Sequence, residues 1–251
     1  LTLSGALTGT TALAKLGDGT LALSADNSGS FTGANSDLSV SAGSLSISHA
    51  SALGDVNGDT TVTSGANLTF NITGGPIVAE PLVLNGTGIG AAGALIASDS
   101  LTLSGTISLA TDSSVSVATG EGLTLSGVMS GTGTGPTKIG AGSLSMSAAH
   151  TYTGATTISA GSVIVTDADG LGTDAAGTTV AASANLTLNV AATITEAVNM
   201  QGTGIGSAGV LVAQQNVTMS GVVTLDDAST VAVDASQTLT LSGALTGTTA
   251  L

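Results

Sequence analysis

Short runs in which apolar and hydroxyl side chains alternate recur along the whole chain: LTLS from Leu1, LALS from Leu21, LSVS from Leu38, LSIS from Leu45, LTFN from Leu68, VSVA from Val115 and VTMS from Val217. A period of two is the signature of a strand with one buried face, so each run predicts a strand with Leu, Val or Ile turned inward and Ser or Thr outward. Gly, Asn and Asp break the runs and mark turns. Helix is excluded by the spread of Gly and β-favouring Thr and Val, and by the lack of a sustained three-to-four residue apolar spacing. Strand starts at Leu1, Leu21, Leu45, Leu68, Leu84, Leu101 and Leu123 are roughly 16 to 24 residues apart, the length of one coil of a β-solenoid.

The same pattern repeats on a larger scale. LTLSGALTGTTAL occupies residues 1–13 and again 239–251, with a weaker echo, LTLSGVMS, at 123–130. The chain therefore parses into copy one at 1–122, copy two at 123–238 and the start of a further copy at 239–251. The copies align over most of their length: TTVTSGANLTFN from Thr60 meets TTVAASANLTLN from Thr178, and NGTGIGAAGALIA from Asn85 meets QGTGIGSAGVLVA from Gln201. Tandem self-similarity argues for a stack that buries a continuous core between neighbouring units, with about six coils per ~120-residue repeat. A closed barrel or sandwich shows short strands too, but has no reason to repeat its whole pattern in tandem.

Composition narrows the class. Aromatic residues are 1% of the chain and charged residues 7%, with 37 Gly, so the core is thin and built of small side chains. A hydrophobic fraction of 42% and mean hydropathy of +0.52 are too high for disorder. Two Lys, no Arg and a net charge of −14 cannot neutralise a phosphate backbone, so nucleic acid is excluded as a partner, as is an anionic membrane surface. With no Cys, stability rests on the ladder and the apolar stack.

The segments KLGDGTLALSADNSGSFTGANSDLSVSAGSLSI from Lys15 and KIGAGSLSMSAAHTYTGATTISAGSVIV from Lys138 resemble the autotransporter-associated β-strand repeat of bacterial autotransporter passengers. The pattern is a Lys, a GxGTLxLSG stretch, a TYTG motif and a turn ending in AGTL. Copy two carries it at Lys138, Gly140, Gly142, Leu144, Thr151, Tyr152, Thr153, Gly154, Ala160 and Gly161; copy one departs from it with Phe31 in place of the Tyr. The resemblance implies a right-handed parallel β-helix, exported to the cell surface or extracellular space.

Candidate chemistry is sparse. Paired carboxylates for glycoside hydrolysis are conceivable at Asp226 with Asp227 or Asp167 with Asp169, but the first pair, as neighbours, would point to opposite faces in a strand and could not flank one bond. The carboxylates also change between copies: Asp18 becomes Ala141, Asp26 becomes Ala149 and Asp99 becomes Gln215. His49 and His150 do not coincide between copies and read as loop histidines. DVNGD (Asp55–Asp59) has the alternating oxygens of a calcium loop, yet Thr60 stands where Gly is needed and Ala66 where Glu is needed. GTGIG, at 86–90 and 202–206, lacks the helix and acidic partner of a dinucleotide fingerprint and reads as a tight turn. Glu80 and Glu196 are the acidic pair retained between copies, expected as hydrogen-bonded corner carboxylates.

The sequence thus predicts no catalytic, cofactor-binding or metal-binding residue, no cofactor, no small-molecule substrate, and further copies of the same repeat as partners. A structural rod is the leading expectation. Direct adhesion to glycans is the alternative, set back by the scarcity of aromatics (Phe31, Phe70 and Tyr152). Ice binding ranks below it, because paired threonines such as Thr61 with Thr63 do not recur at every coil. Because DVNGD lacks two required positions, the fold should survive chelator. Loss of β-sheet circular dichroism in chelator, restored by calcium, is the contrary result.

Overall fold

The computed structural model describes residues 1–33 and 37–247, and within them the chain forms a parallel β-solenoid of about 11 turns. Every registered strand pairing is parallel, as a wound chain requires and a hairpin stack forbids. Each turn runs over three faces. The first face stacks Thr2–Leu3, Thr20–Leu23, Gly43–Ile47, Ala66–Phe70, Leu95–Ala97 and the second half of Ile107–Val117, then continues from Pro136–Ile139 to Leu245–Gly247. The second face carries Ile77–Val78, Leu101–Leu103, Gly122–Leu125, Ser143–Met146, Gly161–Val165, Ala184–Leu188, Leu211–Ala213 and Val231–Val233. The third carries Leu13–Lys15, Leu38–Val40, Thr60–Val62, Leu82–Gly86, the first half of Ile107–Val117 and Met129–Ser130, and resumes at Thr193–Ile194, Val217–Met219 and Leu239–Leu241.

Alternation along each strand becomes rows along the axis. On the second face Leu101, Leu123, Leu144, Val163, Leu186 and Leu211 stand in register, all buried. On the first face Leu45, Leu68, Leu95 and Val115 do the same, while Phe70 lies over Ala97 so that a large ring faces a small neighbour. Each buried Leu or Val contributes roughly 1.5–3 kcal/mol by leaving water. The ladder passes without interruption from copy one to copy two, through Leu101–Leu103 against Gly122–Leu125.

The repeat and the turn do not have the same period. Thr2–Leu3, which opens copy one, lies on the first face. Six first-face strands, hence five turns, lead to Ile107–Val117, and Gly122–Leu125, which opens copy two, follows on the second face. Six second-face strands then lead to Val231–Val233, and Leu239–Leu241 follows on the third. The repeat that strand spacing put at about six coils is thus five turns and one face, about 26 Å of axis at a strand spacing of about 4.8 Å. Each motif accordingly moves on by one corner between copies. Residues 248–251, the end of the second LTLSGALTGTTAL segment, lie outside the described residues.

Introduced cysteines test this register in a chain that has none of its own. Thr124 stacks on Thr102 of the second face, so Thr102→Cys with Thr124→Cys should oxidise to an intramolecular disulfide, the two strands being within bridging distance. Ser116→Cys with Thr124→Cys, which a whole-turn repeat would favour by keeping Thr124 on the first face, should stay reduced. The opposite outcome would reject the fractional turn.

Candidate functional site

Polar groups buried in the solenoid gather at its corners, where the chain leaves one face for the next and carbonyls lose their ladder partners. Lys15 and Lys138 are the clearest case. Both take inward positions in apolar rows: Lys15 is in line with Val40, and Lys138 lies between Val115 and Ile158. Lys138 is 1% exposed. Its Nζ reaches the corner and donates to the carbonyls of Ile139 at 2.8 Å, Gly140 at 2.7 Å and Ala160 at 3.2 Å. Lys15 does the same with Leu16, Gly17 and Ala42. Each ammonium thus ties its own corner to the next coil, using all three donors on carbonyls rather than on a carboxylate. Burial pushes the Lys138 ammonium down to about 8.

Gly43 and Gly161 belong to the same device. Both have positive φ, and a Cβ at either would lie within 2.7 Å of the Lys Nζ and still closer to corner carbonyls. The Lys, GxG and AG elements of the motif are therefore parts of one corner.

A second device reads the backbone of a neighbouring coil with a side-chain amide. Asn67 donates to the Gly93 carbonyl at 2.6 Å and accepts from the Ile89 N–H at 3.3 Å; Asn185 treats Gly209 and Ile205 in the same way. These bonds hold the GTGIG turns, which form short 3₁₀ segments, Ile89–Ala91 and Ile205–Ser207, on a glycine-rich backbone of positive φ. The sequence expectation of a tight corner turn agrees with this geometry.

His150 departs from the expected loop histidine. It is 2% exposed, and its Nδ1 accepts the Met129 N–H at 3.0 Å. Copy one places Asn27 there, accepting the Leu7 N–H at 2.8 Å. Burial holds the imidazole down to about 4, with Asp167 opposing, and the neutral ring supplies the acceptor the coil needs. Beside it, Tyr152 is buried with its hydroxyl 2.6 Å from Thr156 Oγ1, and burial pushes the phenol up. In copy one Phe31 and Leu38 are the counterparts, so both hydroxyls are absent together and no buried donor is left unpaired. Sequence comparison registers the Tyr-to-Phe change; the matching Thr-to-Leu change has meaning only in three dimensions.

Glu80 and Glu196 are corner carboxyls, as expected, and are 5% and 4% exposed. Thr60 donates to Glu80 Oε1 at 2.9 Å and Thr178 to Glu196 Oε1 at 3.0 Å. The other oxygen of each is buried without a hydrogen-bond partner.

The remaining carboxylates build turns. Asp55 accepts from the Asn57 N–H and side-chain amide and from the Gly33 N–H, which makes DVNGD an Asx turn. Asp167 accepts the Asp169 N–H, His49 the Ser51 N–H and Asp227 the Ala228 N–H. Asp226 and Asp227 are exposed in Val223–Ser229. Among the described residues no group of three or more His, Asp or Glu is placed to hold a metal ion.

Against known proteins, residues 13–47 and 137–165 match the family described as passenger-associated-transport-repeat. No curated protein and no solved structure matches the chain. The two matched segments contain the Lys15 and Lys138 corners.

The Tyr152–Thr156 bond can be weighed against its apolar counterpart. Thr156→Val, which leaves the phenol hydroxyl without its partner, should destabilise by about 1–3 kcal/mol. Adding Tyr152→Phe should restore most of that loss. Denaturant midpoints of the two singles and the double variant measure the coupling, and strictly additive losses would contradict it.

Proposed function

We propose that the chain, whose family matches and β-solenoid fold fit a repeat region of an autotransporter passenger, serves as a non-catalytic structural rod, a stalk or fibre segment standing at the cell surface. The observation that carries this reading is the continuous ladder. Strands pair coil on coil across the boundary between the sequence copies, so a further copy adds length without a new type of interface. The placement of the candidate groups supports it as well: among the described residues Asp226, Asp227, Asp167, Asp169 and His49 are spent on turns or solvent, and the buried His150 serves the backbone. The partners on this reading are further copies of the same repeat, stacked axially, and the copies at 1–122 and 123–238 are units of duplication. No helix of the described residues is long and apolar enough to cross a membrane.

Arrays of two, four and six copies, imaged by electron microscopy, provide the test. Rods of constant width that lengthen by about 26 Å per copy are expected from the strand spacing. Compact particles whose length does not follow copy number would reject the rod. Turnover of a polysaccharide that vanishes in Asp226→Asn or Asp227→Asn would replace it with an enzyme.

A further inference from the structure

The two retained glutamates do more than close a turn. Each sits at the corner just before a strand, Glu80 before Leu82–Gly86 and Glu196 before Val198–Gly202, and bonds to the threonine that opens the strand of the preceding coil, Thr60 or Thr178. The adjoining backbone makes a rung at the same place: the Thr60 N–H donates to the Pro81 carbonyl at 2.9 Å and the Thr178 N–H to the Ala197 carbonyl at 2.8 Å. On the far side the next coil leaves no room. A Cβ at Gly105 would lie 2.2 Å from the Glu80 carbonyl oxygen, and one at Gly221 2.0 Å from that of Glu196. The backbone that carries each glutamate is thus pressed against the next coil, and the carboxyl itself is buried, with one oxygen bonded and the other without a partner.

Among the described residues no positive group faces it. The charged groups around Glu80 are Asp59, Asp55 and Asp37, and Asp174 is the one beside Glu196, with the Tyr152 phenol also near. Both lysines are committed to corner carbonyls elsewhere. A carboxylate in this setting would be a buried charge with a single hydrogen bond, whereas the neutral acid is far less costly.

We propose that Glu80 and Glu196 are proton-dependent latches, one per repeat, that clasp adjacent coils while the carboxyl is neutral and loosen the corner when it ionises. Burial pushes Glu80 up to about 8 and Glu196 up to about 7, with the neighbouring aspartates adding to the effect and the threonine hydrogen bond opposing it. A carboxyl raised in the folded state stabilises the fold fully below its unfolded value near 4.5, and that contribution is lost as pH rises through 7 to 8. His150, held low, acts with the opposite sign between about 4 and 6.5, and Lys138 does so above about 8. The interval from pH 6.5 to 8 therefore isolates the glutamates. In a tandem array the latches add up, copy by copy.

Amide hydrogen exchange on the whole chain reads each latch separately. In the wild type the protection factors of the Thr60 and Thr178 amides, corrected for intrinsic exchange, should fall by up to about tenfold per pH unit as their glutamate ionises, while that of Leu144 holds. Glu80→Gln, a neutral isostere, should flatten the Thr60 response and leave Thr178 unchanged, with the converse for Glu196→Gln. A Thr60 response equally steep in Glu80→Gln would overturn the proposal. Should the variants fold poorly, infrared spectra of the wild type decide the matter: a protonated carboxyl stretch must persist at pH 6 and disappear by pH 9, and its absence at pH 6 is fatal.

Discussion

Everything in this molecule follows from stacking one backbone directly on another at every corner. Along a face the ladder satisfies each N–H and C=O from the coils above and below. At a corner the chain turns through a large angle, the ladder lapses, and the next corner still arrives about 4.8 Å away. Two demands result: no side chain can project into the gap, and the freed carbonyls need donors. The first demand explains why LTLSG ends in glycine. A Cβ at Gly127 would meet the Gly105 carbonyl oxygen at 2.0 Å, and one at Gly243 the Gly221 oxygen at 2.1 Å. The second demand explains why a chain with so few charged residues places its two lysines inside.

Lys15 and Lys138 show how the corner overrides composition. By hydropathy a lysine belongs in solvent, and an inward strand position should exclude it. The aliphatic stem nevertheless continues the apolar row, and the ammonium finds three carbonyls at the corner it reaches. Asn67, Asn185 and Asn27 perform the same service with neutral amides, whereas His150 meets the complementary need and accepts a backbone N–H. The acidic surface that results is a consequence: both lysines are used internally, and the aspartates and most of the remaining carboxylates face solvent.

The strands, their inward rows and the repeated turns were legible because alternation and tandem identity are one-dimensional signals, and the family resemblance lay on the residues of the Lys corner. What stayed hidden was set by contacts between residues about twenty positions apart. Alternation alone already puts Lys15 in step with Leu13 and Lys138 in step with Pro136 at inward positions, but a charged residue there reads as an exception rather than a cap. His150 reads as a loop histidine because it precedes TYTG in a segment without strand pattern. Its equivalence to Asn27 becomes visible only when each is seen accepting an N–H from the coil before it. The aspartates do not recur between copies and read as solvated surface; in the structure several build turns, and Asp55, Asp37 and Asp112 also accept an N–H from a neighbouring coil.

The mismatch between repeat and turn has a consequence for any array built of this unit. A repeat of whole turns would place every copy of the GTGIG turn, the Lys corner and the glutamate latch on one side of the rod. Such a rod would accumulate the strain and charge of each motif along one edge and would bend toward or away from it. Five turns and one face instead send each motif to the next corner: the Lys corner leads from the third face to the first in copy one and from the first to the second in copy two. Three copies, 16 turns, bring a motif back to its starting corner after about 77 Å of axis at the strand spacing. Any bend contributed by one copy is then offset by the two that follow, and a straight rod can lengthen by duplication although no single repeat is symmetric.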